Sequence, residues 1–228
     1  ILVKEGDHVT VGQVLVRMND VQTKAQAEIT RTQLYTALAV EARLLAERDG
    51  KKEILFPPEL QSQQNDSRVA NNILIQNQLF TSRKLALQHE IAALDEGISG
   101  LKVQLRGLEA SKASKNQQSK FLEEQLVNMR ELSKEGFVPR NRVLDLERTF
   151  IQLSGEISTD IGNIGRTQRQ IAELEQRRIQ RQQEYQKDVR QQLSDIKREA
   201  EALNSRLNGQ DFELANIEVK APVDGTVV

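Results

Sequence analysis

The four prolines of this chain stand at 57, 58, 139 and 222, and that spacing constrains the fold more than any motif. Two stretches, 59–138 and 140–221, each of about eighty residues, contain none. Proline removes a backbone donor and clashes with the preceding turn, so it ends helices. A charged chain that omits it over such lengths predicts two long helices with a break near residue 139. The apolar residues support this. Leu87, Ile91, Leu94, Ile98, Leu101, Leu105 and Leu108 step by alternating fours and threes, and the register returns at Leu122, Leu126 and Met129. Val143, Leu146, Phe150, Leu153, Ile157, Ile161 and Ile164 do likewise, and Ile171, Leu174, Val189, Leu193, Ile196, Leu203 and Leu207 follow a looser version. Sustained 3-4 spacing is a coiled-coil seam. Between the runs, at 134–140, Gly136 suits the left-handed position after a helix and Pro139 the first turn of the next. The expectation is an antiparallel helical hairpin with its tip at 134–140.

Composition agrees. Of 228 residues only 4% are aromatic while 29% are charged, poor material for a compact core of this size. Lys and Arg number 32 against 33 Asp and Glu, so nothing draws the chain as a whole toward nucleic acid or anionic lipid. There is no cysteine, and the two histidines, His8 and His89, are too far apart to suggest a metal site. No run of ~18 apolar residues is present. Both ends look like interrupted strands, which suggests a piece cut from a longer protein.

A third helix is expected before the hairpin, at about 21–48, with Asn19 and Gln22 as a capping box and Gly50 as its stop. Its apolar residues, Ile29, Leu34, Leu38, Val40, Leu44 and Leu45, cover a wide arc that suits two neighbours. Residues 50–67, with Phe56-Pro57-Pro58, read as an extended connector, and Asp66 or Ser67 as the next cap. The long helices, 68–134 and 140–208, are each roughly 100 Å at 1.5 Å per residue. One stretch of seam is weak. Lys112, Lys115 and Ser119 occupy apolar positions, opposite a segment (154–165) that holds Gly155, Gly162 and Gly165. That predicts a narrowed or frayed coiled coil, a bend, or a lateral contact with another protomer.

The two ends belong together. Residues 3–17 alternate as strand, turn, strand, and residues 217–228 read as two strands around an Asp224-Gly225 turn. Neither piece makes a stable sheet alone. A hairpin brings its feet together, so the two pieces are expected to complete one small sheet. Glu-Gly-Asp-x-Val-x-x-Gly-Gln-x-Leu at 5–15, carrying Gly6, Asp7, Val9, Gly12 and Leu15, resembles one half-motif of the biotinyl/lipoyl fold. Ala-Pro-x-Asp-Gly-x-Val at 221–227, carrying Pro222, Asp224 and Gly225, resembles the other. Such a split module with a long helical insertion resembles the periplasmic adaptors, or membrane fusion proteins, of type I secretion. The three-helix insertion looks most like the haemolysin-secretion branch and its protease/lipase exporter adaptors. The fold expected is therefore mainly α with a small β module: residues 1–20 and 211–228 form the lipoyl-like halves, and residues 21–210 the helical hairpin domain.

The resemblance implies an anchor in the inner membrane of a Gram-negative bacterium and a periplasmic position. It implies a ring, hexameric in the full-length protein, that joins an inner-membrane ABC transporter to a TolC-like outer-membrane channel for passage of a secreted protein substrate. It implies no cofactor and no catalysis. The helical tip would dock the channel. In the family the tip often carries Arg, then Leu four residues on, then Ser or Thr seven further. Those positions are Asn128, Leu132 and Pro139, and only Leu132 keeps the pattern. Gly136, Phe137 and Val138 complete the expected site, with Phe137 and Val138 supplying apolar contact or else stapling the turn closed.

Other readings are weaker. A multidrug efflux adaptor shares the architecture, but the extra first helix and the Phe-Pro-Pro connector lean against it. A biotinyl or lipoyl carrier needs a modified lysine at a hairpin tip, and Lys24 lies within an expected helix. A cytoskeletal tether would leave the β ends incidental. No Gly-rich loop follows a strand, so no ATP site is expected, and intermixed charges with few aromatics argue against nucleic acid.

Overall fold

The computed structural model describes residues 2–227. In chain order the elements are β1 (His8–Val9), β2 (Val14–Arg17), α1 (Val21–Arg48), α2 (Pro58–Ser62), α3 (Ser67–Lys134), α4 (Arg140–Ala215), β3 (Glu218–Lys220) and β4 (Gly225–Thr226). The fold is mostly helical with a small β module. Cα packing divides it into two units. One holds the chain up to Ala86 and from Glu184 on; the other is Leu87–Gln183. Ile1 and Val228, which belong to the expected terminal strands, lie outside the described residues.

In the first unit the two ends of the chain meet. β1 pairs antiparallel with β4, Val9 opposite Gly225, and β2 pairs antiparallel with β3, Arg17 opposite Glu218. The expectation of one small sheet is corrected to two two-stranded ladders. The cause is a pair of bends. The chain turns at Gly12, at φ +83°, and bends again at 222–224. Ala221 bonds across to both sides of the first bend: Gly12 N–H donates to its carbonyl at 2.8 Å, and its own N–H donates to the Gln13 carbonyl at 2.9 Å. The expected Asp224-Gly225 hairpin is also corrected: Gly225 lies inside β4, and β3 and β4 each pair with a strand from the opposite end of the chain.

α1 is the centre of this unit. Leu44 packs on Val189 and Leu193 of α4, while Ala27, Leu34 and Ala37 pack on Ala200 and Leu207. On another side Ala42 and Ala46 meet Phe80 of α3, and Ala39 meets Val69. The expected two-neighbour arc is present, built largely from alanine, which lets helices approach closely. Ile29 is outside it and exposed, while Thr30 is buried and donates to the Gln26 carbonyl at 3.0 Å. α1 starts without the expected capping box: Asp20 is the cap residue, and Asn19 Oδ1 accepts from Val21 N–H at 3.1 Å. Its end is as expected. Gly50 takes φ +62°, and Lys51 N–H donates to the Ala46 carbonyl at 2.9 Å, a Schellman closure.

Three helices are expected from the sequence, and four are present among the described residues. Pro57 is extended and Pro58 occupies the first helical position, where its missing N–H is no loss. That starts α2 inside the connector, and burial of Leu60 against Ala39 and Val69 holds it there. α4 also runs past its expected end at 208 to Ala215, because Leu214 packs onto the Leu34–Leu207 cluster and carries the helix through Gly209. A buried ionic network ties the three long helices in this unit. Glu47 of α1, its side chain fully buried, accepts from Arg43 at 2.6 Å and from Arg83 of α3 at 3.2 Å. Arg83 reaches on to Asp188 of α4 at 2.9 Å, and Arg43 donates to Gln76 Oε1 at 2.7 Å.

In the second unit α3 and α4 run antiparallel. Cross-helix pairs follow one another back from the turn: Arg130–Glu147 at 2.6 Å, Lys115–Asp160 at 3.0 Å, Lys102–Glu175 at 3.1 Å, Asp95–Arg178 at 2.8 Å, then Glu90–Arg181. Ile98, Leu126, Val143, Leu153 and Ile171 are buried along the seam. The weak stretch keeps the register. Ile161, expected on the seam, is 50% exposed, and its neighbour Asp160 is buried in its place. Ser111 Oγ donates to Asp160 at 3.0 Å beside the Lys115 ammonium, so a polar layer fills the seam there. Lys115 first, then Ser111, hold the Asp160 carboxyl below its ordinary value of 3.8.

Glu47→Ala leaves Arg43 buried without its carboxylate and is expected to cost roughly 3–5 kcal/mol, read from denaturant unfolding. In the seam, Asp160→Ala should lower the melting temperature, whereas the double change Lys115→Leu with Asp160→Leu should hold or raise it. Because the Asp160 value is depressed on folding, its contribution is complete above pH 3.8 and is lost as pH falls through the folded-state value. The melting temperature of the double variant should therefore depend less on pH below 4 than that of the parent.

Candidate functional site: the helical turn

α3 ends at Lys134 because Gly136 can take φ +85°, a conformation that a Cβ disfavours. Phe137 N–H then donates to the Leu132 carbonyl at 2.9 Å, and Gly136 N–H to the Ser133 carbonyl at 3.2 Å. This is the Schellman pattern, with Gly136 in the left-handed position and Phe137 following it. Pro139 stands one residue before α4, just outside the expected first turn, and its carbonyl accepts from Arg142 N–H at 3.0 Å.

Val138 is half-buried, so it holds the turn. Phe137 is 74% exposed, and its ring contributes little to closing the loop. Leu132 is also exposed, and Asn128 lies one turn before it on the same face of α3. The structure thus gathers Asn128, Leu132, Gly136, Phe137, Val138 and Pro139 around one turn, braced by the Arg130–Glu147 pair. Exposed Leu132 and Phe137 stand there among the exposed charges of Glu131, Lys134, Glu135 and Arg140, a mixed surface of the kind that suits contact with a partner. The sequence reading missed Phe121 and Ile151, which lie near the turn and are 70% and 69% exposed. Their signal was available: both are large apolar residues one step off the seam.

The half-motif residues of the other unit occupy structural positions. Gly6 takes φ +90° in the turn before β1, where Asp7 Oδ2 accepts from Lys4 N–H at 2.8 Å. Val9 is buried, and Leu15 is half-buried in β2. Asp224 Oδ1 accepts from Val11 N–H at 2.6 Å, a side-chain bond that ties the last segment to the first. Pro222 is exposed at the second bend. Arg17 donates to Glu218 at 2.6 Å across the β2–β3 ladder and holds that carboxyl below its ordinary range. Lys24 sits in the first turn of α1 and is ion-paired to Asp20. Among the described residues no helix is long and apolar enough to cross a membrane.

Gly136→Ala should leave the helices intact but strain the turn by about 1 kcal/mol. The expected readout is exchange of the Phe137 amide about fivefold faster than in the parent.

The chain resembles known proteins along its whole length. It is 35% identical over its whole length to the alkaline protease secretion protein AprE of Pseudomonas aeruginosa, covering 52% of that protein. It is 39% identical to the proteases secretion protein PrtE of Dickeya chrysanthemi and 26% identical to the type I secretion system membrane fusion protein PrsE of Rhizobium meliloti, covering 51% and 52% of them. The chain therefore spans about half the length of the curated relatives it matches. Among solved structures, the soluble domain of LipC, a membrane fusion protein of a type I secretion system, superposes with a TM-score of 0.93 at 42% identity, over the whole chain and 86% of that structure. The periplasmic adaptor protein EmrA shares the fold at a TM-score of 0.57 and 14% identity, over 60% of its length. Residues 23–212 match the family model described as AprE, long alpha-helical hairpin, and the chain belongs to that family.

Proposed function

We propose that this chain is the periplasmic arm of an adaptor in a type I secretion system, and that the whole protein links an inner-membrane ABC transporter to a TolC-like outer-membrane channel. The observation that carries the reading is the joining of the chain's two ends in the β1–β4 and β2–β3 ladders, with the helices leaving and returning between them. That arrangement suits an arm inserted into a small module, and family membership and the names of the relatives support the same role.

In this reading residues 1–20 and 211–228 are the two halves of a lipoyl-like module. The positive φ of Gly6 and Gly12 and the Asp224–Val11 bond support it, since they place the half-motif residues where each half needs a turn or a tie. In the full-length protein, anchored in the inner membrane, these modules assemble into a ring, hexameric by family resemblance. The work is done by geometry. The turn at 134–140 meets the channel, with Leu132 and Phe137 as the apolar contacts. Gly136 sets the turn, Val138 and Pro139 lead into α4, and Asn128 flanks Leu132. A secreted protein passes through the assembled conduit, and no cofactor takes part.

Leu132→Asp and Phe137→Asp tests the docking role. Both residues are exposed, so circular dichroism should be unchanged. Co-purification of the channel with the full-length protein and secretion of the cargo should both be lost. Normal channel binding by both variants would remove the claim.

A further inference from the structure

A groove of about 460 Å³ runs along the first unit between α1 and α4. Leu34 and Leu38 of α1, with Ala200 and Leu207 of α4, form its floor and belong to the apolar cluster that joins the two helices. Its charged edges are Glu41 of α1, Glu59 of α2, and Lys197 and Glu201 of α4. Lys197 is already committed to Glu41 at 3.8 Å. Glu59 and Glu201 are exposed and enter no ion pair among the described residues. An apolar floor edged by two uncompensated carboxylates is complementary to an apolar group flanked by cations. The smaller recess beside the start of α3, about 270 Å³, is different: Arg31 pairs there with Glu28 and Arg68 with Asp66, so it offers a ligand no free charge of either sign.

The shape of the groove narrows the choice of occupant. Its lining positions on α4 run from 197 to 207, which is roughly 15 Å at 1.5 Å per residue. That length matches about four or five residues of extended chain at about 3.3 Å each. A compact small molecule would leave most of it unfilled. A second copy of this chain is a poorer match in charge. Residues 69–82 of α3 expose Leu74, Ile75 and Leu79 and contain no charged residue. That strip of a neighbouring copy could cover the floor, but it would leave Glu59 and Glu201 without a cation.

We propose that this groove is a recognition site for an extended, basic peptide segment of a partner protein. Apolar side chains of the segment rest on Leu34, Leu38, Ala200 and Leu207, and its lysine or arginine side chains pair with Glu59 and Glu201. The apolar contact supplies most of the affinity, since ion pairs at an exposed edge each add little in water. The two carboxylates supply the selection for positive charge. The site goes beyond the bridging role given above and does not depend on the turn at 134–140. It gives α1 and α2 a part in recognition besides their packing against the long helices.

The test uses the full-length protein in phosphatidylcholine nanodiscs, with empty nanodiscs as the reference. The probe is fluorescein-labelled Lys-Leu-Ala-Leu-Lys, read by fluorescence anisotropy, and Glu-Leu-Ala-Leu-Glu is the charge-reversed control. Saturable binding of the basic probe below about 1 mM is expected, and none of the acidic one. Glu59→Gln combined with Glu201→Gln should weaken binding about fivefold, and salt at about 0.5 M should weaken it as well. Asn204→Phe fills the groove from an exposed helical position and should abolish binding with an unchanged circular dichroism spectrum. Equal affinity for the two probes, binding indifferent to either variant, or no saturation below about 1 mM overturns the site and leaves the adaptor reading standing. A photo-crosslinking residue at 204 that joins two copies of the protein, rather than protein to probe, assigns the groove to a second copy and overturns the proposal too.

Discussion

Every strand among the described residues finds its ladder partner on the far side of the helices. His8–Val9 is only two residues and Val14–Arg17 only four, and strands so short do not persist as isolated pairs. They are held because the first and last segments are delivered to one another, and because Asp224 and Arg17 add side-chain bonds across the join. The dependence is mutual. The ladders tie down the helical ends that would otherwise fray, and the helix packing supplies the proximity that the ladders need. The entropy of closing so long a loop rises only logarithmically with its length, so an insertion of this size is tolerable. The local helical contacts form faster than these distant pairings, so the ladders should be the late event in folding.

The helices were legible in the sequence because their signals are local and repeated. Proline spacing, the 3-4 step and Gly136 each report on a few neighbouring residues, and the structure agrees with them. The misses share a cause. Ile161 was placed on the seam because it is apolar, whereas the step of three and four lands on Asp160, whose charge is acceptable only because Ser111 and Lys115 are opposite. That compensation lies about fifty residues away in sequence, beyond the reach of periodicity. α2 was hidden for a related reason: five residues are too few for a pattern, and Leu60 holds them in place by contacts with α1 and α3. The two bends that split the expected sheet depend on bonds between Ala221 and residues 12 and 13, again a distant pairing. At the turn, residue type singles out Phe137 and Val138 alike, but exposure separates them, and exposure is a property of the packed chain.

The two units hold charge differently. In the first, Glu47 is enclosed between Arg43 and Arg83, with Tyr185 stacked 5.5 Å from the Arg83 guanidinium. Each charged group has a fixed partner on another turn or helix, which discriminates among ways of packing α1 against its neighbours more sharply than its alanines can. In the second unit most ion pairs are at the surface, and each adds little stability in water. Their value is in alignment: each joins residues of α3 and α4 at similar distances from the turn, which favours one register of the two helices.

The polar layer at Ser111, Lys115 and Asp160 has a mechanical consequence. A seam made only of leucine and isoleucine accepts a slide of seven residues with small loss, since each knob finds an equivalent hole. A carboxylate in that line does not, because after such a slide it would face hydrocarbon. The layer therefore works as a detent between the two helices. Sliding one leg along the other by a heptad would set Asp160 against Leu108 or Leu122, so an axial pull on one leg meets resistance partway along the hairpin.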